Sequence, residues 1–254
     1  LKIITSKINK DYLNFKEFHK TSTCVNENNA HGFWAHQGAG GRIIKLDDNN
    51  LLFTTGDFRN RPLAQDLDND FGKILKINIQ NKNTNVVSFG HRNPQGLYYS
   101  KKFDFILSTE HGPKGGDEIN INFQSNNKDS IPNFGWDIAS YGIEYDGTDP
   151  YKKSHSKYGF GEPFKYYVPS IGISQLVYLP TNLNFNSEKH LFVSSLRAAS
   201  IYVIKINDKF NKIIEEDRIY LDQQRIRDIV YDEENNVFFL ILELMPSIGI
   251  LKLK

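Results

Sequence analysis

Cysteine and long apolar runs are nearly absent from this sequence, and each absence excludes a class of protein. The single cysteine, Cys24, excludes an intrachain disulfide and a cysteine-rich zinc site, although it leaves the compartment open. Mean hydropathy is −0.50, and no apolar run approaches the roughly 18 residues that span a bilayer. The 31 basic and 30 acidic residues give a formal net charge of +1. No bulk charge field would therefore recruit nucleic acid or anionic lipid.

The first residues do not show the features of a signal peptide. The chain of 254 residues starts with Leu1. Its first residues, LKIITSKI, lack the pattern of a charged region, then an apolar region, then a cleavage site of small residues. We therefore expect that the N-terminus has been removed or that the sequence is a fragment. Hydrophobic residues are 39% and charged residues 24% of the chain, which is ordinary for a globular protein of one or two domains.

Short β-rich runs with turn signals dominate, and helical periodicity is scarce. Each of four segments has the pattern of a strand, a polar turn and a second strand. These predicted hairpins are Arg42–Asp57, Gly96–Gly112, Gln175–Leu196 and Asp228–Leu242. A third alternating strand is predicted after the first, third and fourth hairpins, at Lys73–Ile79, Ala199–Ile206 and Ile248–Lys254.

A hairpin followed by another strand is typical of a β-propeller blade, which has four strands and about 40–50 residues. We count about four such units, and a β-sandwich is the alternative from the pattern alone. The second hairpin is followed by a polar stretch rich in Gly, Asn and Tyr. We interpret this stretch, at about 114–174, as a long loop-rich insertion of the kind that binds ligands. Residues 1–254 are predicted to form one propeller domain, which the resemblance given below implies to be partial.

The stretch Ser88–Leu97 (SFGHRNPQGL) places polar side chains on a constrained loop. Arg92 offers a planar fork of donors, and Asn93 offers both a donor and an acceptor. Asn93 precedes proline, which forces an extended or turn conformation. The alternative is a structural turn with a surface arginine.

The stretch Thr109–Asn120 (TEHGPKGGDEIN) combines a constrained turn with carboxylates. The carbonyls of Gly112 and Pro113, with Asp117 or Glu118, are hard oxygen ligands of the kind that Ca²⁺ prefers. The spacing is not that of an EF-hand. A glycine-rich turn with solvated acids is the alternative.

Two arginines share one face of a predicted strand in QRIRDIV. Arg225 and Arg227 are two residues apart, so their guanidinium groups lie side by side. Neighbouring cations repel each other, and a ligand with several carboxylates or nearby Asp and Glu would compensate them. Arg197, at the end of another strand, is a candidate for the same positive cluster. A solvated edge strand remains the alternative.

His36 precedes a glycine-rich turn in WAHQGAGGR and is a candidate general base. Asp57 ends the hairpin that starts just after it, and a carboxylate there would orient the imidazole and stabilise its charged form. A structural or exposed histidine is the alternative.

Taken together, these motifs resemble the soluble glucose/sorbosone dehydrogenase family, quinoprotein aldose sugar dehydrogenases with a six-bladed β-propeller, pyrroloquinoline quinone (PQQ) and Ca²⁺. The resemblance runs in the family's order from about Trp34 onward. The matching stretches are GGRIIKLDDNNLLFTTGD, RPLAQDLDNDFGKILKI, GHRNPQGL, EHGPKGGDEIN, NFGWDIASYGIEY, PSIGISQLVYLP, LFVSSLRAASIYVIKI and QRIRDIV. The resemblance implies an all-β chain that covers about four of the six blades of a propeller, with the N-terminal blades missing.

The resemblance implies catalytic roles for three residues. His36 matches the base that takes the proton of the anomeric hydroxyl, and Asp57 matches the acid that supports it. Arg92 and Asn93 match the residues that contact the quinone, with Arg92 near its reactive carbonyl. The implied reaction oxidises an aldose to its lactone by hydride transfer to the quinone, and passes electrons to an acceptor.

The resemblance also implies two calcium sites and a cofactor pocket. The carbonyls of Gly112 and Pro113 would hold the Ca²⁺ bound to the cofactor, and Glu118 with the carbonyl of Phe134 would hold a second, structural Ca²⁺. The residues implied to bind the carboxylates and ring of PQQ are Tyr145, Arg197, Arg225 and Arg227. A periplasmic or secreted location is implied as well.

Two other functions are compatible with a propeller. One is a non-catalytic binding module that keeps the fold without the quinone chemistry. The other is a hydrolase such as a lactonase, which would use a central metal held by carboxylates and would need no arginine cluster.

Overall fold

The computed structural model describes residues 1–9, 11–22, 24, 37–124, 130–179 and 189–252. Among the described residues, strands account for 49% and helix for 4%, so the predicted all-β, propeller-type fold is confirmed. Within the described ranges, no helix has the length and apolar content that a membrane crossing requires.

The strands form successive antiparallel sheets in which each strand pairs with the next along the chain. A two-stranded sheet contains β1 (Lys2–Thr5) and β2 (Lys16–Lys20). The first sheet contains β3 (Gly40–Lys45), β4 (Asn50–Thr55), β5 (Lys73–Asn78) and β6 (Thr84–Phe89). The second contains β7 (Pro94–Ser100), β8 (Phe105–Glu110), β9 (Asp117–Phe123) and β10 (Lys165–Tyr167). The third contains β11 (Ile173–Leu179), β12 (Lys189–Ser195), β13 (Ser200–Ile206) and β14 (Ile213–Tyr220), and the fourth contains β15 (Ile226–Asp232), β16 (Val237–Leu242) and β17 (Ser247–Lys252).

The structure confirms the strands of the four predicted hairpins and all three predicted third strands. The prediction that the second hairpin lacks a third strand was wrong, because β9 pairs with β8 in the register Glu110↔Glu118. β9 occupies the first part of the predicted insertion, so the loop-rich stretch is shorter than expected. A short 3-10 helix (His155–Tyr158) and β10 lie within the part that follows β9.

Apolar side chains fill the space between neighbouring sheets. Leu52 and Leu97 belong to the cluster between the first and second sheets. Phe105 lies 5.8 Å from Tyr178, ring centroid to centroid, between the second and third sheets. Phe192 and Phe238 lie 4.6 Å apart between the third and fourth. Full burial of such a side chain stabilises the fold by about 1.5–3 kcal/mol.

The first strands of the sheets lie next to one another in order, with β7 beside β3, β11 beside β7 and β15 beside β11. Buried hydroxyl groups tie neighbouring sheets together at one end of these strands. The Thr54 hydroxyl donates to the Pro94 carbonyl at 2.9 Å, and the Ser174 hydroxyl donates to the Ile226 carbonyl at 2.6 Å. The Thr109 hydroxyl donates to the Ser174 carbonyl in the same way. The loops at this end are therefore held close together, and they form the site described next.

Candidate functional site

A cavity of about 920 Å³ opens at the end of the sheets where the loops converge. In an antiparallel sheet, the start of the first strand and the end of the second lie at the same end. The loops before β3, β7, β11 and β15 and those after β4, β8 and β12 accordingly line one cavity. The predicted residues that line it are Asp57, Arg92, Asn93, Gly112, Pro113, Tyr145, Arg197, Arg225 and Arg227.

The remaining three predicted residues are Glu118, Phe134 and His36. Glu118 and Phe134 line a second, smaller cavity, to which Arg92 and Gly112 also contribute. His36 lies outside the described residues, so the structure gives no position for it. Gln37, the next residue along the chain, lines the main cavity.

Asp57 follows β4 and is a buried carboxylate at the wall of the cavity. One carboxylate oxygen accepts a hydrogen bond from the Trp136 indole N–H at 2.6 Å, and the other accepts from the Arg59 backbone N–H at 2.8 Å. Burial raises the pKa of Asp57, and the nearby Arg92 guanidinium partly opposes this increase. These bonds fix the carboxylate, so Asp57 is suited to orient another group rather than to move.

Arg92 lies on the loop between β6 and β7. Its Nη1 donates to the His111 carbonyl at 3.1 Å, and its guanidinium carbon lies 5.4 Å from the centroid of the Trp136 ring. No carboxylate within the described part of the chain lies within 4 Å of this guanidinium, so its charge is available to a ligand. Asn93 instead supports the loops, because its Oδ1 accepts from the Gly40 N–H and from the Gln95 side chain.

The turn at Gly112 and Pro113 is held by Asp117. The two carboxylate oxygens of Asp117 accept from three backbone N–H groups, those of Gly112, Gly172 and Ile173, at 2.8 to 3.1 Å. Burial works to raise the pKa of Asp117, but hydrogen bonding and charge from His111 together with the Ile173 N–H lower it overall. The carbonyls of Gly112 and Pro113 accept no hydrogen bond from the described residues. They are therefore unused oxygens at the wall of the cavity.

Arg225 and Arg227 share one acidic partner. The Arg225 Nε and the Arg227 Nη2 lie 3.2 and 3.0 Å from the same oxygen of Glu243. One carboxylate compensates only one of the two charges. Arg197, on the same cavity, has no carboxylate within 4 Å among the residues that the structure describes.

Basic side chains outnumber acidic ones around the cavity. Among the described residues, the two acidic ones are Asp57 and Asp117, and the seven basic ones are Arg59, Arg61, Arg92, Lys114, Arg197, Arg225 and Arg227. The excess persists after Glu243 and Glu144, the partners of three of these arginines, are included. A surplus of closely spaced positive charge favours an anionic ligand.

The second cavity surrounds a buried carboxylate. Burial, together with the neighbouring Glu110, raises the pKa of Glu118 well above its ordinary range. Asn120 donates to Glu118 at 3.3 Å through its Nδ2, and its Oδ1 is buried without a hydrogen-bond partner. His155 Nε2 lies 3.6 Å from the other Glu118 oxygen. No cluster of three or more His, Cys, Asp or Glu suited to a metal ion occurs in the described ranges, so a cation here would depend on amide and carbonyl oxygens as well.

Sequence reasoning missed two residues of the site. Trp136 contacts both Asp57 and Arg92, and Arg61 forms a bidentate ion pair with Glu144 beside the exposed Tyr145. Trp136 and Arg61 stand in stretches that were matched to the family, NFGWDIASYGIEY and RPLAQDLDNDFGKILKI. Their roles carried no local signal, because each depends on a partner more than 70 residues away.

Comparison with known proteins gives a consistent result. The family profile for Glucose / Sorbosone dehydrogenase matches residues 8–244. The chain is 31% identical over 205 residues to the aldose sugar dehydrogenase YliI of Escherichia coli. The aligned region covers 75% of this chain and 53% of that protein. The chain thus spans about half the length of the curated relatives it matches.

Solved structures show the same fold. The apo form of the soluble aldose sugar dehydrogenase from Escherichia coli superposes with a TM-score of 0.78 at 25% identity, over 98% of this chain and 72% of that one. A PQQ-bound aldose sugar dehydrogenase from Streptomyces coelicolor gives 0.61 at 20% identity, over 84% and 60%, a likeness of fold alone. On the profile match and the sequence identity, this chain belongs to the glucose/sorbosone dehydrogenase family.

Proposed function

We propose that this protein oxidises an aldose at its anomeric carbon to the lactone, with PQQ and Ca²⁺ as cofactors. The observation that carries the proposal is the convergence of three features on one cavity. These are the pair Arg225 and Arg227, Arg92, and the Gly112–Pro113 turn. Among the described residues, Arg92 has no carboxylate within 4 Å and the two carbonyls of the turn accept no hydrogen bond. The family membership and the names of the aldose sugar dehydrogenases that it resembles support the same reaction class.

The residues of the cavity fit this cofactor pair. PQQ carries three carboxylates, and the surplus of basic over acidic lining residues would compensate them. Carbonyl oxygens are preferred Ca²⁺ ligands, and those of Gly112 and Pro113 have no other partner among the described residues. A non-catalytic propeller or a lactonase would have no need of this arginine cluster.

The chain's own residues would bind, orient and move a proton. Arg225, Arg227 and Arg197 would hold the cofactor's carboxylates, and Arg92 would donate to the quinone oxygen next to the reacting carbon. Asp57 would orient the base, and His36 would take the proton from the anomeric hydroxyl. When bound, PQQ would accept the hydride from the anomeric C–H bond, and Ca²⁺ would polarise the quinone.

A second Ca²⁺ would be held by Glu118, the carbonyl of Phe134 and the Oδ1 of Asn120. The carboxylate is buried with a raised pKa, and the amide oxygen lacks a partner. A cation at this point would stabilise the ionised carboxylate and satisfy the amide oxygen. Its role would be structural, because Glu118 does not line the main cavity.

The test is reconstitution with PQQ and Ca²⁺, followed by measurement of PQQ affinity and of aldose oxidation with an artificial dye as electron acceptor. We expect saturable PQQ binding and dye reduction that depends on the sugar. His36→Ala should remove the oxidation and leave PQQ binding nearly intact. Arg227→Gln should weaken PQQ binding by about tenfold, since a charge-assisted contact is lost.

Lys212→Gln is the matched control, because it removes one positive charge from an exposed residue outside the cavity. PQQ binding without sugar oxidation would contradict the proposed reaction, although the cofactor pocket would be supported. A folded protein that neither binds PQQ nor oxidises sugar would refute the proposal and favour the non-catalytic module.

A further inference from the structure

Arg92 stands on a backbone segment that is hydrogen-bonded on both sides. Its carbonyl accepts from the Asp57 N–H at 2.9 Å. Its N–H and that of Asn93 both donate to one oxygen of Glu110, at 3.3 Å in the case of Asn93. Glu110 is the last residue of β8 and is 4% exposed. A carboxylate on a rigid strand therefore fixes the loop that carries Arg92.

The other oxygen of Glu110 is engaged by a buried relay. His91, which is 0% exposed, lies with its Nδ1 2.9 Å from this oxygen and its Nε2 2.8 Å from the Ser88 hydroxyl. A carboxylate only accepts, so Nδ1 carries the proton, and in the neutral ring Nε2 accepts from Ser88. The ring also stacks on Phe134 with 5.0 Å between centroids. Every donor that faces Glu110 is satisfied, which makes a connected and rigid network.

Glu110 does not line the main cavity, so it would not contact a ligand bound there. Its effect would pass through Arg92, whose guanidinium makes one hydrogen bond to the described residues, to the His111 carbonyl. A long arginine side chain loses conformational entropy when it is fixed. The position of the Arg92 guanidinium therefore depends on how firmly the backbone of Arg92 is held. Small displacements of a group at a reacting centre lower the reaction rate strongly.

We propose that Glu110 is the positioning residue for the Arg92–Asn93 loop, and that it sets how well Arg92 meets the quinone. This inference rests on the proposed PQQ function. Ser88 and His91 complete the relay by holding the second carboxylate oxygen. Without Glu110, two backbone N–H groups and the imidazole Nδ1 lose their acceptor in a buried place.

The test compares Glu110→Leu with Glu110→Gln. Leucine removes both acceptors. Glutamine keeps one oxygen for the two N–H groups, and its amide can donate to His91 in the other tautomer, with Nε2–H donating to Ser88. We expect PQQ affinity to fall about tenfold or more in Glu110→Leu and to stay within about threefold in Glu110→Gln, since charge-assisted hydrogen bonds are stronger than neutral ones. Hydrogen exchange of the Arg92 and Asn93 amides, followed by NMR without cofactor, should accelerate in Glu110→Leu.

Asn69→Ala is the matched control for a general loss of stability. Asn69 is also buried, donates to the Leu63 and Asp66 carbonyls, and accepts from the Phe71 N–H. It lines neither cavity. We expect Asn69→Ala to lower stability without changing PQQ affinity or the exchange of the two amides.

The inference is overturned if Asn69→Ala weakens PQQ binding as much as Glu110→Leu at equal stability. It is also overturned if the two amides exchange at the wild-type rate in Glu110→Leu. A wild-type protein that binds no PQQ refutes the proposed function and the inference together. A wild-type protein that binds PQQ, with a Glu110→Leu variant that binds it equally well, refutes the inference alone.

Discussion

Replacing Gly56 with alanine should damage the site more than any surface change, because three backbone segments cross at this residue. Gly56 lies between β4 and Asp57. A Cβ atom added there would lie 1.8 Å from the Gly38 carbonyl oxygen and 2.9 Å from that of Arg92. Both neighbours are backbone, so neither can rotate away, and a real contact would need a shift of more than 1 Å.

The cost follows from the contacts that such a shift would break. Overpacking alone costs about 1–3 kcal/mol. The hydrogen bonds at this crossing run from the Gly56 N–H to Ala39, from the Asp57 N–H to Arg92 and from the Phe58 N–H to Gly38, at 2.9 to 3.1 Å. Loss of one or two of them adds about 1 kcal/mol each. We therefore expect Gly56→Ala to lower the free energy of unfolding by about 3–5 kcal/mol, equivalent to a fall in Tm of roughly 6–20 °C.

Urea denaturation of the variant and the wild type measures this difference. Gly249→Ala is the control, because Gly249 lies in β17 and its added Cβ would meet Leu240 at an ordinary 3.4 Å. Alanine in a strand is slightly better than glycine, so this control should stay within about 0.5 kcal/mol of the wild type. If Gly56→Ala did the same, the three segments would not cross as closely as the structure shows, and the argument would be wrong.

Three further predictions concern charge. Glu243→Gln removes a negative charge that competes with a ligand for Arg225 and Arg227. PQQ should therefore bind several-fold more tightly in a titration at low salt, and weaker binding would contradict the electrostatic reasoning. The pKa of Glu144 is lowered chiefly by its hydrogen bond with Arg61. The stabilisation from this pair is therefore present above the ordinary value of 4.5 and is lost as the pH falls. Arg61→Met should reduce the stability that the protein loses between pH 7 and pH 3 by about 1 kcal/mol, as measured by urea denaturation at each pH. A pH profile equal to that of the wild type would argue against this reasoning. Added Ca²⁺ should raise the Tm of the wild type by a few degrees and leave that of Glu118→Gln unchanged, whereas an equal increase in both would place the structural cation elsewhere.

Hydrophobic alternation was sufficient to predict the strands whose side chains are buried on one or both faces. The hairpin β7–β8 and the strand β13 are examples, since apolar residues there pack against a neighbouring sheet. β14 was missed because almost all of its residues are exposed, so its position is set by pairing with β13 rather than by a pattern of its own. β9 was missed for a different reason. Its alternating Ile119, Ile121 and Phe123 were visible, but the acidic motif that overlaps them was interpreted as a loop.

The sequence motifs and the family resemblance together predicted nine of the residues that line the cavity, because glycine, proline and arginine are conspicuous in a sequence. The partners of these residues were less accessible. Glu243 lies 16 residues beyond Arg227, across β16, and nothing in its own neighbourhood indicates that it would pair with both arginines. Trp136 reaches Asp57 only because the folded chain brings residues 79 positions apart into contact. Pairings of this kind follow from the topology and not from local composition.

The acids and the bases at this end of the molecule have separate tasks. Asp57, Glu110 and Asp117 are all buried, and each accepts hydrogen bonds from backbone N–H groups of the loops around the cavity. Their negative charge is therefore used to hold the loops in place. Arg92 and Arg197, by contrast, have no carboxylate within 4 Å among the described residues, so their charge remains for a ligand. Neutralising one of the acids should consequently alter the shape of the site and protein stability first, whereas neutralising one of these arginines should weaken the binding of an anion while the loops keep their positions.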